Sequence, residues 1–181
     1  MSTATATEPT RHPRSTGTSA KPKVATKPAT KKAATTSKAQ PVKASAARFA
    51  AFIAKEPTTG ELLIKRVRKG YPAELVKHAS MFFSIPEKRV LQVIGVPSTT
   101  AHRYQTQGKP LDPAASERVH RVAIVTRQAI DVFGAAEPAK AWMLRPNHAL
   151  GDTPPLDLLD TEIGANAVRR ILVAIAEGGV V

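Results

Sequence analysis

The side chains best suited to acid–base or metal chemistry are scattered along this chain of 181 residues. None of its histidines forms a pair of the H-E-x-x-H type that binds zinc on a helix. The chain has no cysteine, which excludes disulfides, thiolate nucleophiles and sulfur-ligated metals. It also lacks the G-x-S-x-G, P-loop and G-x-G-x-x-G motifs. Catalysis is therefore the least favoured class of function, and we expect no catalytic residue, metal ligand or cofactor. The histidines are His12, His78, His102, His120 and His148.

A second group of polar side chains could recognise another molecule rather than react with it. The pattern predicts a helix over 86–94, a left-handed Gly95 that ends it, and a second helix over 99–105 with Ser98 or Thr99 as its cap. Helix, glycine turn and helix at this spacing are typical of a DNA-reading unit, although packed helix pairs that never touch DNA share the pattern. The predicted DNA contacts are Ser98, Thr99, Thr100, His102, Arg103, Gln105 and Lys109.

The segment from residue 141 onward has the pattern of a small packed module. Trp142 is expected to anchor the core, and Leu156 and Leu159 to share one face of a short helical turn. A final helix follows a cap at 160–161, with an apolar stripe formed by Ile163, Ala167, Val168, Ile171, Leu172 and Ile175. Beyond the helix, a glycine hinge carries two apolar residues that could reach into a partner. These residues are Gly178, Gly179, Val180 and Val181.

The elements that position these residues are predicted to be helical throughout, so the fold class is all-α. The other predicted helices are 50–54, 58–69, 72–82, 113–133 and 136–144. We expect three parts: a disordered tail over 1–47, a helical domain with the helix-turn-helix over 48–134, and a C-terminal domain over 135–181. The charge clusters of the helical domain are most simply solvated helix faces. They comprise Lys65, Arg66, Arg68, Lys69, Lys88 and Arg89.

Positive charge is concentrated at the start of the chain. Residues 1–48 contain ten Lys or Arg and a single acidic residue, and so carry +9 of the net charge of +13. Such a Lys-, Ala-, Thr- and Pro-rich stretch buries too little apolar surface to fold alone. It could act as an arm that attracts phosphates, or only keep the protein in solution. The absence of a long apolar run or secretory signal predicts a cytoplasmic protein.

Two segments of the chain resemble the Xre, MbcA and ParS family of antitoxins. Residues 84–87 and 95–100 resemble the family's Xre-like helix-turn-helix. The resemblance to its C-terminal toxin-binding domain is more specific, and is carried by Trp142, 146–147, 149–151, 153–159, 161–165 and the final helix. It extends from about residue 82 to the end of the chain, with weaker similarity back to residue 49, and the basic tail lies outside it.

The resemblance implies an antitoxin that binds a RES-type, NAD-degrading toxin, covers the entrance to its active site, and represses its own operon as a homodimer or a hetero-oligomer with the toxin. The expected toxin contacts are Asn147, Leu150, Leu156, Ile175, Gly178, Gly179, Val180 and Val181. The family's second DNA helix is often rich in arginine, whereas here Arg103 stands among uncharged residues, so the expected phosphate attraction is weak at that surface. The alternative is a stand-alone helix-turn-helix regulator whose C-terminal region serves dimerisation.

Overall fold

Three helices form the amino-terminal part of the structure. The computed structural model describes residues 39–178, with side chains from Lys43 onward. Helix α1 spans Ala39–Lys55, α2 spans Glu61–Lys69 and α3 spans Glu74–Phe83. α1 packs on α3 through Phe49, which is fully buried, and whose ring centroid lies 5.5 Å from that of Phe82 and 6.2 Å from that of Phe83.

The beginning of α1 corrects the predicted extent of the disordered tail. The helix begins at Ala39 rather than at Ala50, so residues 39–47 of the predicted tail are helical. This stretch is rich in alanine, the strongest helix former. Ala46, Phe49 and Ile53 recur at i, i+3 and i+7, and the packing of α3 against this stripe stabilises the helix. The rest of the predicted tail, residues 1–38, lies outside the described residues.

A long central helix connects the two halves of the structure. After α4 (Glu87–Ile94) and α5 (Ser98–Gln107), helix α6 spans Pro113–Phe133, as predicted. Its start is stabilised by the Asp112 side chain, which accepts a hydrogen bond from the backbone N–H of Ala115 at 2.9 Å. The buried face of α6 includes Val119, Val122 and Ala123, and the helix contacts α1, α2, α4, α7 and α8.

The carboxyl-terminal part contains two helices and two short 3₁₀ turns. α7 spans Ala136–Leu144, the turns span His148–Leu150 and Pro155–Asp160, and α8 spans Glu162–Ala176. The regular elements between residues 39 and 178 are all helical, which confirms the predicted fold class. None of these helices has the length and apolar content needed to cross a bilayer.

The described residues all belong to one compact unit. α6 and α7 pack against each other across Gly134, and the second 3₁₀ turn contacts α4 and α6. The predicted boundary between residues 134 and 135 thus lies inside one packed unit. A division at this position would separate two functions rather than two folded units.

Candidate functional site

The turn between α4 and α5 has the predicted helix-turn-helix geometry. Gly95 is left-handed, with φ 69° and ψ 33°. Its N–H donates to the Gln92 carbonyl at 3.2 Å, and the Val96 N–H donates to the Leu91 carbonyl at 3.0 Å, which together satisfy the last carbonyls of α4. Val96 is buried in the corner and Ala101 is buried beneath α5, so the outer face of α5 is left to polar residues.

The outer face of α5 presents most of the predicted DNA contacts to solvent. Ser98, Thr99, His102, Arg103 and Lys109 are exposed, whereas Thr100 and Gln105 are half-buried. The predicted serine or threonine cap is wrong: α5 begins at Ser98, Pro97 occupies the cap position, and no side chain accepts from the first turn. Because proline at the cap offers no acceptor, the first N–H groups of α5 remain available to another partner.

The loop between α7 and the second 3₁₀ turn is held by its own hydrogen bonds. The Asn147 side chain accepts from the Ala149 N–H at 2.9 Å, and its carbonyl accepts from the Asp152 N–H at 3.0 Å. Asn147 and Thr153 form an isolated antiparallel bridge. Leu150 is half-buried beside this bridge, so the loop presents its side chains from a preorganised backbone.

Burial divides the predicted toxin contacts into three groups. Leu156 is 2% exposed and packs in the core with Leu159, so its side chain is not available to a partner; this corrects its assignment as a contact. Asn147, Leu150 and Ile175 are half-buried, and Gly178 is exposed. Gly179, Val180 and Val181 lie outside the described residues.

The cap of α8 is confirmed, and most of the predicted apolar stripe faces the core. The Thr161 hydroxyl accepts from the Gly164 N–H at 3.1 Å. The buried residues of α8 are Ala165, Val168, Ile171 and Leu172, whereas Ile163 is 84% exposed. Ala167 and Ile175 of the stripe are half-buried. α8 approaches the second 3₁₀ turn closely at Gly164, where an added Cβ would lie 2.1 Å from the Leu158 carbonyl oxygen.

Exposed apolar side chains remain on α8 after folding. In addition to Ile163, Val173 is 56% exposed. The helix therefore buries one apolar face in the core and leaves other apolar side chains on the surface.

Three arginines connect the helix-turn-helix to the carboxyl-terminal part. Arg89 of α4 makes a bidentate ion pair with Asp157, at 2.9 Å for both bonds. Arg118 donates to the carbonyls of Ile94 at 3.2 Å and Asp160 at 3.3 Å. Arg89 is therefore paired rather than on a solvated face as expected, and no local signal identifies a partner 68 residues away.

Arg121 is the most buried of these arginines, at 7% exposure. It donates to the Leu159 carbonyl at 3.1 Å, the Asp160 carbonyl at 3.2 Å and the Glu162 carboxylate at 2.8 Å, and it also pairs with Glu117. Burial alone would raise the pKa of Glu162, but hydrogen bonds and charges from Arg169 and Arg121 outweigh it and lower the pKa. Glu162 therefore stays ionised at neutral pH and holds the start of α8 to α6.

A separate buried polar cluster lies where α1, α2 and α6 meet. Glu56 is 3% exposed and accepts hydrogen bonds from the Tyr71 hydroxyl and from Arg66. Burial, together with the Glu56 carboxylate, raises the pKa of Tyr71, and burial lowers the pKa of the neighbouring His120. Between residues 39 and 178 no His, Asp and Glu side chains converge as a metal site. The cluster is explained by packing of the helices around Glu56.

Comparison with known proteins identifies both halves of this body. Residues 62–123 match the antitoxin Xre-like helix-turn-helix domain, and residues 128–178 match the antitoxin Xre/MbcA/ParS C-terminal toxin-binding domain. The boundary between the two matches falls within α6.

Curated antitoxins are similar over much of the chain. It is 31% identical to an antitoxin Xre of Yersinia enterocolitica over 120 residues, which cover 66% of this chain and 81% of the relative. It is 29% identical to the Prs ADP-ribosylating antitoxin of a Sphingobium species over 121 residues (62% and 76%). It is 34% identical to an antitoxin Xre of Pseudomonas putida over 83 residues (46% and 52%). The chain therefore belongs to the Xre/MbcA/ParS family and is an antitoxin of a toxin–antitoxin system.

Proposed function

We propose that this antitoxin neutralises a RES-type, NAD-degrading toxin by covering the entrance to its active site, and that it represses its own operon through the helix-turn-helix. The observation that carries the first part is the exposed apolar surface of α8, with Ile163 and Val173, inside the segment that matches a toxin-binding domain. The buried centre of a protein interface is more apolar than the rest of the surface, so these two side chains are candidate toxin contacts.

The choice of an NAD-using toxin rests on the family resemblance. The name of the Sphingobium relative refers to ADP-ribosylation, a reaction that also breaks the bond between nicotinamide and ribose in NAD. Both chemistries need an entrance wide enough for a dinucleotide, and a helical module can close such an entrance without contributing a reacting group. The toxin and the operon DNA both lie in the cytoplasm, where we place the antitoxin.

The proposed toxin contacts predict a loss of neutralisation on truncation. Deleting residues 178–181 should abolish protection against the toxin encoded beside the antitoxin, because the deletion removes apolar residues proposed to contact the toxin. Growth and cellular NAD should then fall as they do with toxin alone. The thermal unfolding midpoint should change little, because α8 already ends at Ala176.

A matched variant lacking residues 1–38 should still neutralise the toxin. If the protein truncated after residue 177 still protects fully, residues 178–181 are not needed for neutralisation. If the toxin leaves the NAD pool intact but attaches ADP-ribose to a cellular protein, the RES assignment is wrong, while the antitoxin function stands.

The proposed DNA site is the exposed face of α5, with Ser98, Thr99, His102, Arg103 and Lys109, and with half-buried Thr100 and Gln105 at its edge. The uncapped first turn of α5 adds backbone N–H donors of the kind that bind phosphates. One arginine supplies little electrostatic affinity, so the lysines from Lys21 to Lys43 provide most of the phosphate attraction. The protein reads its operator as a homodimer, since helix-turn-helix proteins commonly read two half-sites.

These separate roles for α5 and the lysines predict a change in the salt dependence of DNA binding. Replacing the lysines between Lys21 and Lys43 by alanine should reduce the slope of log K against log salt by about 0.9 for each phosphate contact that is lost. Replacing Arg103 alone should reduce the slope by about one unit at most. Operator binding measured by fluorescence anisotropy at several salt concentrations would test both. An unchanged slope in the lysine variant would remove these lysines from the DNA interface.

A further inference from the structure

An open cavity of about 700 Å³ lies among α1, α2 and α3. We call it the amino-terminal cavity, and its walls include Arg48, Phe52, Lys69, Tyr71 and Leu75. Its volume is within the range of ~300–1,000 Å³ that is usual for small-molecule sites. None of the proposed contacts on α5 or α8 lines it, so the toxin and DNA proposals leave this cavity without a role.

Two aromatic rings form an apolar corner in the amino-terminal cavity. Phe52 and Tyr71 meet edge to face, with ring centroids 5.1 Å apart and ring planes at 82°. Phe52 is half-buried, whereas Tyr71 is 5% exposed. Pro72 and Leu75 add aliphatic surface to the same walls. This corner suits a flat ring, because aromatic rings pack well in offset or edge-to-face contacts.

Tyr71 is fixed in this position by hydrogen bonds at both its side chain and its backbone. Its hydroxyl donates to the Glu56 carboxylate. Its N–H donates to Ser116 Oγ at 3.0 Å, and its carbonyl accepts from the Leu111 N–H at 2.8 Å. The preceding Gly70 lies against the same loop, since an added Cβ would be 2.2 Å from the Leu111 carbonyl oxygen. The wall is therefore formed before a ligand binds, which lowers the entropic cost of binding.

Cationic side chains are in excess around the cavity. Arg48, Arg66 and Lys69 line it together with two carboxylates, Glu56 and Glu74, which leaves one positive charge in excess. Arg66 already pairs with Glu56 at 3.0 Å. Arg48 and Lys69 are exposed and form no ion pair with any residue that the structure describes. A ligand with a single negative charge would balance this excess.

The other titratable side chain of the cavity does not change this balance. Burial, and then the charge of Arg48, lower the pKa of His78, so its imidazole is neutral at pH 7. A neutral imidazole offers one donor and one acceptor without a charge. A ligand with two negative charges would exceed the positive charge available and would be repelled by Glu74. The planar guanidinium of Arg48 matches a carboxylate, which carries one charge on two oxygens.

We propose that the amino-terminal cavity binds an aromatic monocarboxylate. The ring of the ligand packs against Phe52 and Tyr71, and its carboxylate binds Arg48 and Lys69 at the exposed rim. Binding requires neither toxin nor DNA. The purified full-length antitoxin is therefore sufficient for a test, whose result does not depend on the proposed function.

Titration with 2-naphthoate, followed by NMR near pH 7.5, would test this site. Saturable shifts are expected for the methyl groups of Leu75 and the ring of His78, and none for the methyl groups of Leu172 in α8. The uncharged 2-naphthalenemethanol carries the same ring and should bind about tenfold more weakly, because hydrogen bonds to a charged group are the stronger ones. 2-Naphthyl phosphate, with its second negative charge, should also bind more weakly than 2-naphthoate.

Matched variants separate this site from a general attraction of anions to a basic protein. Arg48→Gln and Lys69→Gln should each weaken binding of 2-naphthoate about fivefold and leave that of the alcohol unchanged. Lys65→Gln removes the same charge from α2, but Lys65 pairs with Glu61 and does not line the cavity. This control should leave both affinities unchanged.

Four results would overturn the proposal. They are shifts that do not saturate or that appear equally in α8, equal affinities for the acid and the alcohol, tighter binding of the phosphate than of the carboxylate, and equal losses in the Lys69→Gln and Lys65→Gln variants. Tighter binding of the phosphate would assign the cavity to a phosphate ester instead. Circular dichroism of each variant would verify that the helices are intact, as expected for substitutions at exposed positions.

Discussion

Replacing Gly164 with alanine is expected to lower the free energy of unfolding of this antitoxin by about 3 kcal/mol, at the upper end of the cost of overpacking. An alanine Cβ at this position would lie 2.1 Å from the Leu158 carbonyl oxygen and 3.1 Å from the Leu158 Cβ. The first of these atoms is backbone, so α8 and the second 3₁₀ turn must move apart. In an ordinary helix the same substitution stabilises by about 0.5–1 kcal/mol, and the expected sign is therefore reversed.

Urea unfolding followed by circular dichroism would measure this change. Arg170→Ala, at an exposed position of the same helix, is the matched control and should change stability by about 0.5 kcal/mol or less. Because the shift displaces the exposed face of α8, toxin neutralisation should weaken as well. An alanine variant as stable as the parent protein would show that the contact between α8 and Leu158 is looser than the structure indicates.

Replacing Arg121 with alanine is expected to cost a similar amount, about 3 kcal/mol. The substitution removes a buried side chain and leaves the Leu159 carbonyl without this donor, while the Asp160 carbonyl loses one of its two arginine donors. The lost pairing with Glu117 and Glu162 contributes less, because both carboxylates are more than half exposed and water replaces the arginine. The cost is therefore mainly one of unsatisfied backbone groups and lost packing.

Glu117→Ala is the control, because it removes only the exposed partner of Arg121 and should cost less than about 1 kcal/mol. Equal costs for the two variants in urea unfolding would contradict the assigned role of the buried arginine. Arg121→Met would further separate packing from hydrogen bonding, since methionine restores apolar contacts without donors.

Arg121 should also change the acid limb of the stability profile. The pKa of Glu162 is lower in the folded protein than its ordinary value, so its contribution is complete above that value and is lost as the pH falls through the folded pKa. Removing Arg121 takes away one of the two arginines that lower it. The variant should therefore lose less stability than the parent protein between neutral and acidic pH.

Three arginines connect the helix-turn-helix to the carboxyl-terminal part, so a movement of one part should be transmitted to the other. Arg89 of α4 and Arg118 of α6 both bind groups of the second 3₁₀ turn, and Arg118 also donates to the Ile94 carbonyl at the end of α4. A toxin that displaces the second 3₁₀ turn would therefore also displace the groups that bind α4. The proposed DNA and toxin surfaces are thus parts of one packed body.

Local chemistry in the sequence was sufficient to predict several features of the fold and of the site. The bounds of α6 and α7, the left-handed Gly95 and the Thr161 cap are all as predicted. Each depends on residues within one or two helical turns, where periodicity, prolines and glycines act on the backbone directly. The helix-turn-helix and the family membership followed from such local patterns.

Only the tertiary structure decided which side of a helix is buried and which charges are paired. Ile163 and Val168 both belong to the predicted apolar stripe of α8, but only Val168 is buried, whereas Ile163 at the start of the helix is exposed. Leu156 has an apolar side chain, as a contact residue could have, yet it lies in the core. Arg89 and Asp157 pair although they are 68 positions apart in the sequence. The burial of side chains and the pairing of distant charges depend on the packing of all the elements together, whereas helix ends depend mainly on neighbouring residues.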